Sequence, residues 1–240
     1  MMIKKILINY ANKRYYNAQK INSETGKQIA GFDEVISYSV NNIDGEFYQK
    51  NSNILNRNRG AGYWLWKPYF IVKTLRSMQE GELLFYSDSG AHFIDKINSV
   101  VDYCSQSKDK ILLFALENFH TNSIWTKRDC FYYMNLDKEP YLSFNQILAS
   151  FVVCIKNKNN LDFFEEWLTY SQDARIITDD PNTCGLDNYP EFKDHRHDQS
   201  ILSLLGRKYN VSFVDDISQW GNPTRDKNIP QIMQHTRYSG

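Results

Sequence analysis

The sequence predicts an α/β fold with a mostly parallel central sheet flanked by helices. Short apolar runs of strand length alternate along the chain with longer segments whose apolar residues repeat at helical spacing. No internal repeat or low-complexity tract breaks that alternation. A chain of 240 residues can also bury a substantial core within one domain.

The elements follow in order. Ile3–Ile8 reads as the first strand and ends at Asn9-Tyr10. Polar sequence runs on to Gly31, and a second strand is expected over Glu34–Val40. After the Gly- and Arg-bearing loop Arg57–Gly62, a helix is expected to begin at Pro68, a residue suited to the first helical position. Ile71, Val72, Leu75 and Met78 give it one apolar face, and Gly81 ends it. Leu83–Tyr86 is a buried strand, Ile94–Ser105 a helix, Ile111–Leu116 a strand and Lys127–Met134 a helix. Phe151–Ile155 is a further strand, followed by a helix over Leu161–Tyr170 with Leu161, Phe164 and Leu168 on one face. Thr178–Tyr189 is a loop, Gln199–Tyr209 a helix and Val211–Val214 a last short strand, with an irregular tail from Gly221.

Composition narrows the function classes. Lys plus Arg and Asp plus Glu both total 28, so the long-range field that favours nucleic acid or an anionic membrane is missing. Aromatics make up 15% of the chain, with 16 Tyr, as suits carbohydrate sites or a Tyr-rich surface. Cys104, Cys130, Cys154 and Cys184 form no Cys-x-x-Cys pair, which argues against a zinc site or a disulfide framework. No apolar segment approaches the roughly 20 residues of a bilayer span, and the start does not read as a signal peptide. A reduced, cytoplasmic protein is expected.

The stretch Gly81–Phe93 carries the chemistry. A buried strand runs into one carboxylate, Asp88, followed by the small residues Ser89 and Gly90. Ligands of open α/β sheets bind beyond the carboxyl ends of strands. A hard cation there takes oxygen ligands and leaves positions for water and substrate phosphates. The competing reading, a helix cap, suits Asp88 poorly, since five residues separate it from the expected helix start at Ile94. His195-Arg196-His197-Asp198-Gln199 is a second cluster. A two-metal hydrolase pattern His-x-His-x-Asp-His fails, because Gln199 and Ser200 follow Asp198. Asp198 or Asp194 as an N-cap of the next helix remains compatible with a carboxylate that faces a cleft.

Taken in order, Trp64-Leu65-Trp66-Lys67-Pro68, Gly81-Glu82, Phe85-Tyr86-Ser87-Asp88-Ser89-Gly90, Trp125-Thr126-Lys127-Arg128-Asp129 and His195 through Ser200 form a series. It resembles small GT-A-fold glycosyltransferases of bacterial and large-virus surface-polysaccharide systems, over most of the chain. The resemblance implies one domain over residues 1–240, with a nucleotide-binding half (1–90), an acceptor and donor-sugar half (91–220) and a tail (221–240) covering the site. It implies a nucleoside-diphosphate sugar donor, a glycan or lipid-linked acceptor with peripheral membrane contact, and Mn²⁺ or Mg²⁺ as cofactor. One departure stands out: such enzymes usually carry Asp-x-Asp where this chain has Asp88-Ser89-Gly90.

By that similarity Asp198, in the Asp-Gln pair, is the catalytic or sugar-orienting carboxylate. Asp88 and His235 are the metal ligands. Arg59 and Lys67 neutralise the leaving diphosphate, with Arg237 beside them, and Ser89 lies where the donor approaches. Tyr10 stacks on the base. Trp64 and Trp66, two apart, cannot share a helical face, so one packs in the core and the other walls the sugar pocket; Trp66 is assigned to the donor. Lys127-Arg128-Asp129 and Gln146 through Ser150 fall where acceptor and donor-sugar contacts are expected. The alternative from another class is a degenerate, non-catalytic nucleotide-sugar or carbohydrate-binding module, supported by the missing second carboxylate. A nucleotidyltransferase comes third, and Asn9–Lys20 lacks the glycines of its phosphate loop.

Overall fold

The apolar run after Lys4 folds as an inner strand of one sheet, shifted two residues later than the sequence predicts. A computed structural model describes residues 3–116, 120–219 and 229–236. Its strands are β1 (Lys5–Tyr10), β2 (Glu34–Tyr38), β3 (Leu83–Ser87), β4 (Ala91–Phe93), β5 (Ile111–Ala115), β6 (Ile147–Ile155), β7 (Phe213–Asp215) and β8 (Met233–His235). Six of them form a sheet in the order β2-β1-β3-β6-β5-β7, and β4 pairs with β8 in a separate ribbon. Only β6 runs against the others: β1 is parallel to β2 and β3, β5 is parallel to β7, and β6 is antiparallel to both β3 and β5. The predicted mixed α/β, mostly parallel architecture is the one observed.

All five residues of β3 are buried, and the neighbouring strands are apolar on both faces, as a sheet covered on two sides requires. On one side Trp66–Ser77, Lys158–Ser171 and Asp198–Lys208 pack against the sheet through Phe70, Leu75, Phe164, Trp167, Leu202 and Leu205. On the other face Leu7, Phe85, Phe93, Phe114 and Phe151 form the second half of the core. Each fully buried side chain of this size contributes about 1.5–3 kcal/mol relative to leaving it in water. Among the described residues, no helix is long and apolar enough to cross a membrane.

Three departures from the predicted elements bear on the site. The helix expected from Pro68 begins at Trp66, which places Pro68 third, still among the positions whose N–H groups have no helical partner. The polar segment after β1 contains the helix Tyr16–Thr25, whose buried positions are Ala18, Gln19 and Asn22. Those amides build a network: Asn9 Nδ2 donates to Asn22 Oδ1 at 2.7 Å, and Asn22 Nδ2 donates to Ser87 Oγ at 2.9 Å. A polar chain thereby ties β1 to the end of β3. Finally, the helix expected from Ile94 starts at Asn98, because Ala91–Phe93 is drawn into the ribbon with β8.

Candidate functional site

β3 ends at Ser87, so Asp88 leaves the carboxyl edge of the sheet, and its N–H donates to Ser150 O at 2.8 Å. Its side chain is 30% exposed. Oδ1 accepts from the Tyr86 hydroxyl and lies 3.4 Å from Lys67 Nζ. The other oxygen has no hydrogen bond among the described residues. Ser89 turns inward, and its hydroxyl donates to Tyr10 O at 2.6 Å.

Lys67 sits in the first turn of the Trp66–Ser77 helix, with its side chain only 3% exposed. Nζ lies 2.8 Å from Asp198 Oδ2, so one ammonium joins two carboxylates from distant parts of the chain. Burial pulls the Lys67 pKa down, but Asp198 and Asp88 more than offset that and hold it above its ordinary value. Asp198 opens the Asp198–Lys208 helix and is likewise buried. Desolvation raises its pKa from 3.8 to about 6, the nearby Asp88 charge adds to the rise, and Lys67 opposes it. Trp167 Nε1 donates to Asp198 O at 3.0 Å and fixes the backbone there.

Asp88, Lys67 and Asp198 open into one cleft of about 180 Å³, walled by Arg59, Trp64, Ser150 and the segment His195–Gln199. Arg59 spans Asp179 at 3.0 Å and Asp194 at 2.8 Å, which sets the loop around Gly60 against the loop that follows Ile177. Burial lowers the Arg59 pKa and the two carboxylates more than restore it. Gln199 Oε1 accepts from Ala149 N at 3.3 Å, docking the helix start on β6. His195 is saturated: Nε2 meets Ile176 O at 2.8 Å, and Nδ1 accepts from Lys127 N at 3.3 Å. Burial above all, with His197 and Lys127 nearby, holds its pKa well below 6.5.

The structure thus brings together Arg59, Lys67, Asp88 and Asp198, and it corrects several assignments. Tyr10 is 6% exposed, with its ring stacked on Trp66 at 3.9 Å and packed beside Phe70, so its faces belong to the core rather than to a base. Trp66 is equally buried, and its Nε1 donates to Gly60 O. Trp64 is the indole that reaches the cleft. The inversion follows from the backbone: Gly60 through Trp64 all have positive φ, a left-handed turn that swings Trp64 out ahead of the helix. Lys67 lines the cleft, but its charge is committed to two carboxylates rather than free for a diphosphate.

Ser89 contributes its backbone, its hydroxyl being engaged. Lys127, Arg128 and Asp129 hold a loop: Lys127 Nζ donates to Asp180 O, Arg128 pairs with Asp137, and Asp129 accepts from Thr183 N and Cys184 N. His235 lies in β8 opposite Ala91, with its ring 5.7 Å from that of Phe151, and Thr236 N donates to Gly90 O. Met233–Thr236 therefore runs beside the loop that follows Asp88. Arg237 lies outside the described residues. Among the described residues no group of three or more His, Cys, Asp or Glu is placed to hold a metal ion. The open oxygen of Asp88 does fit a hard cation whose remaining ligands come from substrate phosphates and water. Trp64, His195, Arg196 and His197 are wall residues to which sequence reasoning gave no role; for Trp64 the glycines before it were the available signal.

Among solved structures, mouse xyloside xylosyltransferase 1 in its apo form is similar to this chain, with a TM-score of 0.51 at 10% sequence identity. The match covers 98% of this chain and 97% of that one. The chain shares the fold of that glycosyltransferase. No family model matches the chain, and no curated protein matches it.

Proposed function

We propose that the protein is a glycosyltransferase that moves a sugar from a nucleoside-diphosphate donor to a hydroxyl of a glycan or lipid-linked acceptor. The observation that carries this reading is the meeting of Asp88, Lys67 and Asp198 in a cleft at the carboxyl edge of a GT-A-like sheet. In this reading Asp88 holds Mn²⁺ or Mg²⁺, with His235 from the adjoining ribbon as the second ligand. When bound, the cation offsets the charge that grows on the leaving diphosphate.

The residues of the chain divide the remaining work. Asp198 lies against the reaction centre, where its carboxylate either takes the acceptor hydroxyl proton or stabilises positive charge on the sugar. Lys67 fixes the two carboxylates relative to each other. Arg59, on the exposed rim, faces the diphosphate.

A non-catalytic nucleotide-sugar-binding module is the second reading, favoured by Gly90, which stands where the second carboxylate of Asp-x-Asp would lie. Thermal-shift screening against UDP-, GDP-, CDP- and dTDP-sugars with Mn²⁺, followed by assay of nucleotide release, tests both. A transferase frees nucleoside diphosphate from at least one donor. A pure binder frees none.

A further inference from the structure

Two histidines of one segment face opposite fates. His195 has both ring nitrogens engaged, whereas His197 has one. His197 Nδ1 lies 2.7 Å from Ile177 O, and a carbonyl only accepts, so Nδ1 carries the hydrogen. Burial above all pulls the His197 pKa down to about 4, so the ring is neutral near pH 7 and Nε2 presents a lone pair. That nitrogen is buried, with no hydrogen-bond partner among the described residues. Native proteins rarely leave such an atom unpaired.

The setting of the ring points to a ligand. His197 adopts φ 54 and ψ −119, a costly conformation for a residue with a side chain, and the Asp198–Lys208 helix begins immediately after it. The Trp64 indole, carried by the left-handed turn, stacks on the imidazole at 5.5 Å and 25°. Both rings line the cleft that holds Asp88 and Asp198.

We infer that His197 Nε2 is the acceptor for a hydroxyl of the transferred sugar, with Trp64 as the apolar wall of the same subsite. The inference rests on the glycosyl-transfer reading above. A diphosphate at neutral pH offers no O–H, whereas a sugar offers several O–H donors and C–H faces that suit an indole. Ribose and base also carry donors, and the test separates them.

Ring-nitrogen resonances of His197 are followed in the ¹⁵N-labelled protein on adding a nucleotide sugar that binds, and separately on adding its nucleoside diphosphate. The Nε2 resonance moves with the sugar nucleotide and stays with the diphosphate. His197→Asn keeps an N–H for Ile177 O and leaves no acceptor at the position of Nε2. It binds the nucleotide sugar about tenfold more weakly, the worth of one hydrogen bond, with diphosphate affinity unchanged. If the variant does not fold, the nitrogen measurement on the unmodified protein decides. An Nε2 resonance that is unmoved by a bound nucleotide sugar, or that moves equally with the diphosphate, overturns the inference alone. Failure of every nucleotide sugar to bind overturns it together with the transferase reading.

Discussion

Lys67 Nζ and Asp198 Oδ2 face each other at 2.8 Å with side-chain exposures of 3% and 5%, and Asp88 shares the same ammonium at 3.4 Å. Charges this deep are tolerated only in company, since removing one partner strands the other without water. Lys67→Met, which keeps an unbranched chain one atom shorter and removes the charge, is expected to cost about 3–5 kcal/mol of folding stability. Urea unfolding measures it. A loss under 1 kcal/mol would show that water already reaches this pair.

Asp88 stands differently. Its side chain is 30% exposed, and Lys67 retains Asp198 when Asp88 is removed. Asp88→Ala should therefore abolish donor turnover while moving Tm by only a few degrees. Sugar transfer at the unmodified rate would contradict the role given to this carboxylate.

The pKa of Asp198, raised to about 6 mainly by burial, sets a pH limb for the reaction. Above about 6 the group is a carboxylate, and below it the proton returns. Donor turnover should fall as pH drops through about 6, and a pH–rate profile checks this. Asp198→Asn should leave at most a residual rate without that limb.

Folding stability carries its own pH dependence. His195 and His197 have depressed pKa values in the folded state, so the unfolded chain takes up protons first as pH falls below 6.5. Their contribution is present above 6.5 and is lost progressively as pH falls, for His197 toward about 4. Asp198, raised from 3.8 to about 6, works the other way over that lower range. Two histidines outweigh one carboxylate, and a net loss of about 1–3 kcal/mol is expected between pH 7 and pH 4.5. Urea unfolding at both pH values reads it directly.

The left-handed turn offers a further test. Gly62 has φ +98, and a Cβ there would meet Leu55 Cα at 2.7 Å, a backbone atom that cannot step aside. Gly62→Ala should cost about 2–4 kcal/mol and displace Trp64. Quenching of Trp fluorescence by a bound nucleotide sugar would then be lost. A neutral substitution would mean that the turn relaxes freely.

Much of this arrangement is legible in the amino-acid sequence. The Leu83–Tyr86 run, ending in Asp88, announces a strand edge through hydrophobicity alone, whereas Asp198 is reached through the resemblance of its Asp-Gln pair, with the apolar helix face of Ile201, Leu202 and Leu205 behind it. What stayed hidden depends on distant partners. β4 and β8 are three residues each, with His92 and Gln234 in their centres, and they become strands only by finding one another. The Tyr16–Thr25 helix was masked because its buried face includes Gln19 and Asn22, whose burial makes sense only beside Asn9 and Ser87. The exchange of Trp64 and Trp66 between cleft and core follows from five backbone angles that no apolar periodicity encodes.

The pairing of Met233–His235 with Ala91–Phe93 has an implication for biosynthesis. The segment just beyond Asp88 waits for a partner that leaves the ribosome more than a hundred residues later, after most of the sheet can already have assembled. Competence for ligand should therefore arrive abruptly during synthesis, when Met233–His235 becomes available, rather than as a gradual gain.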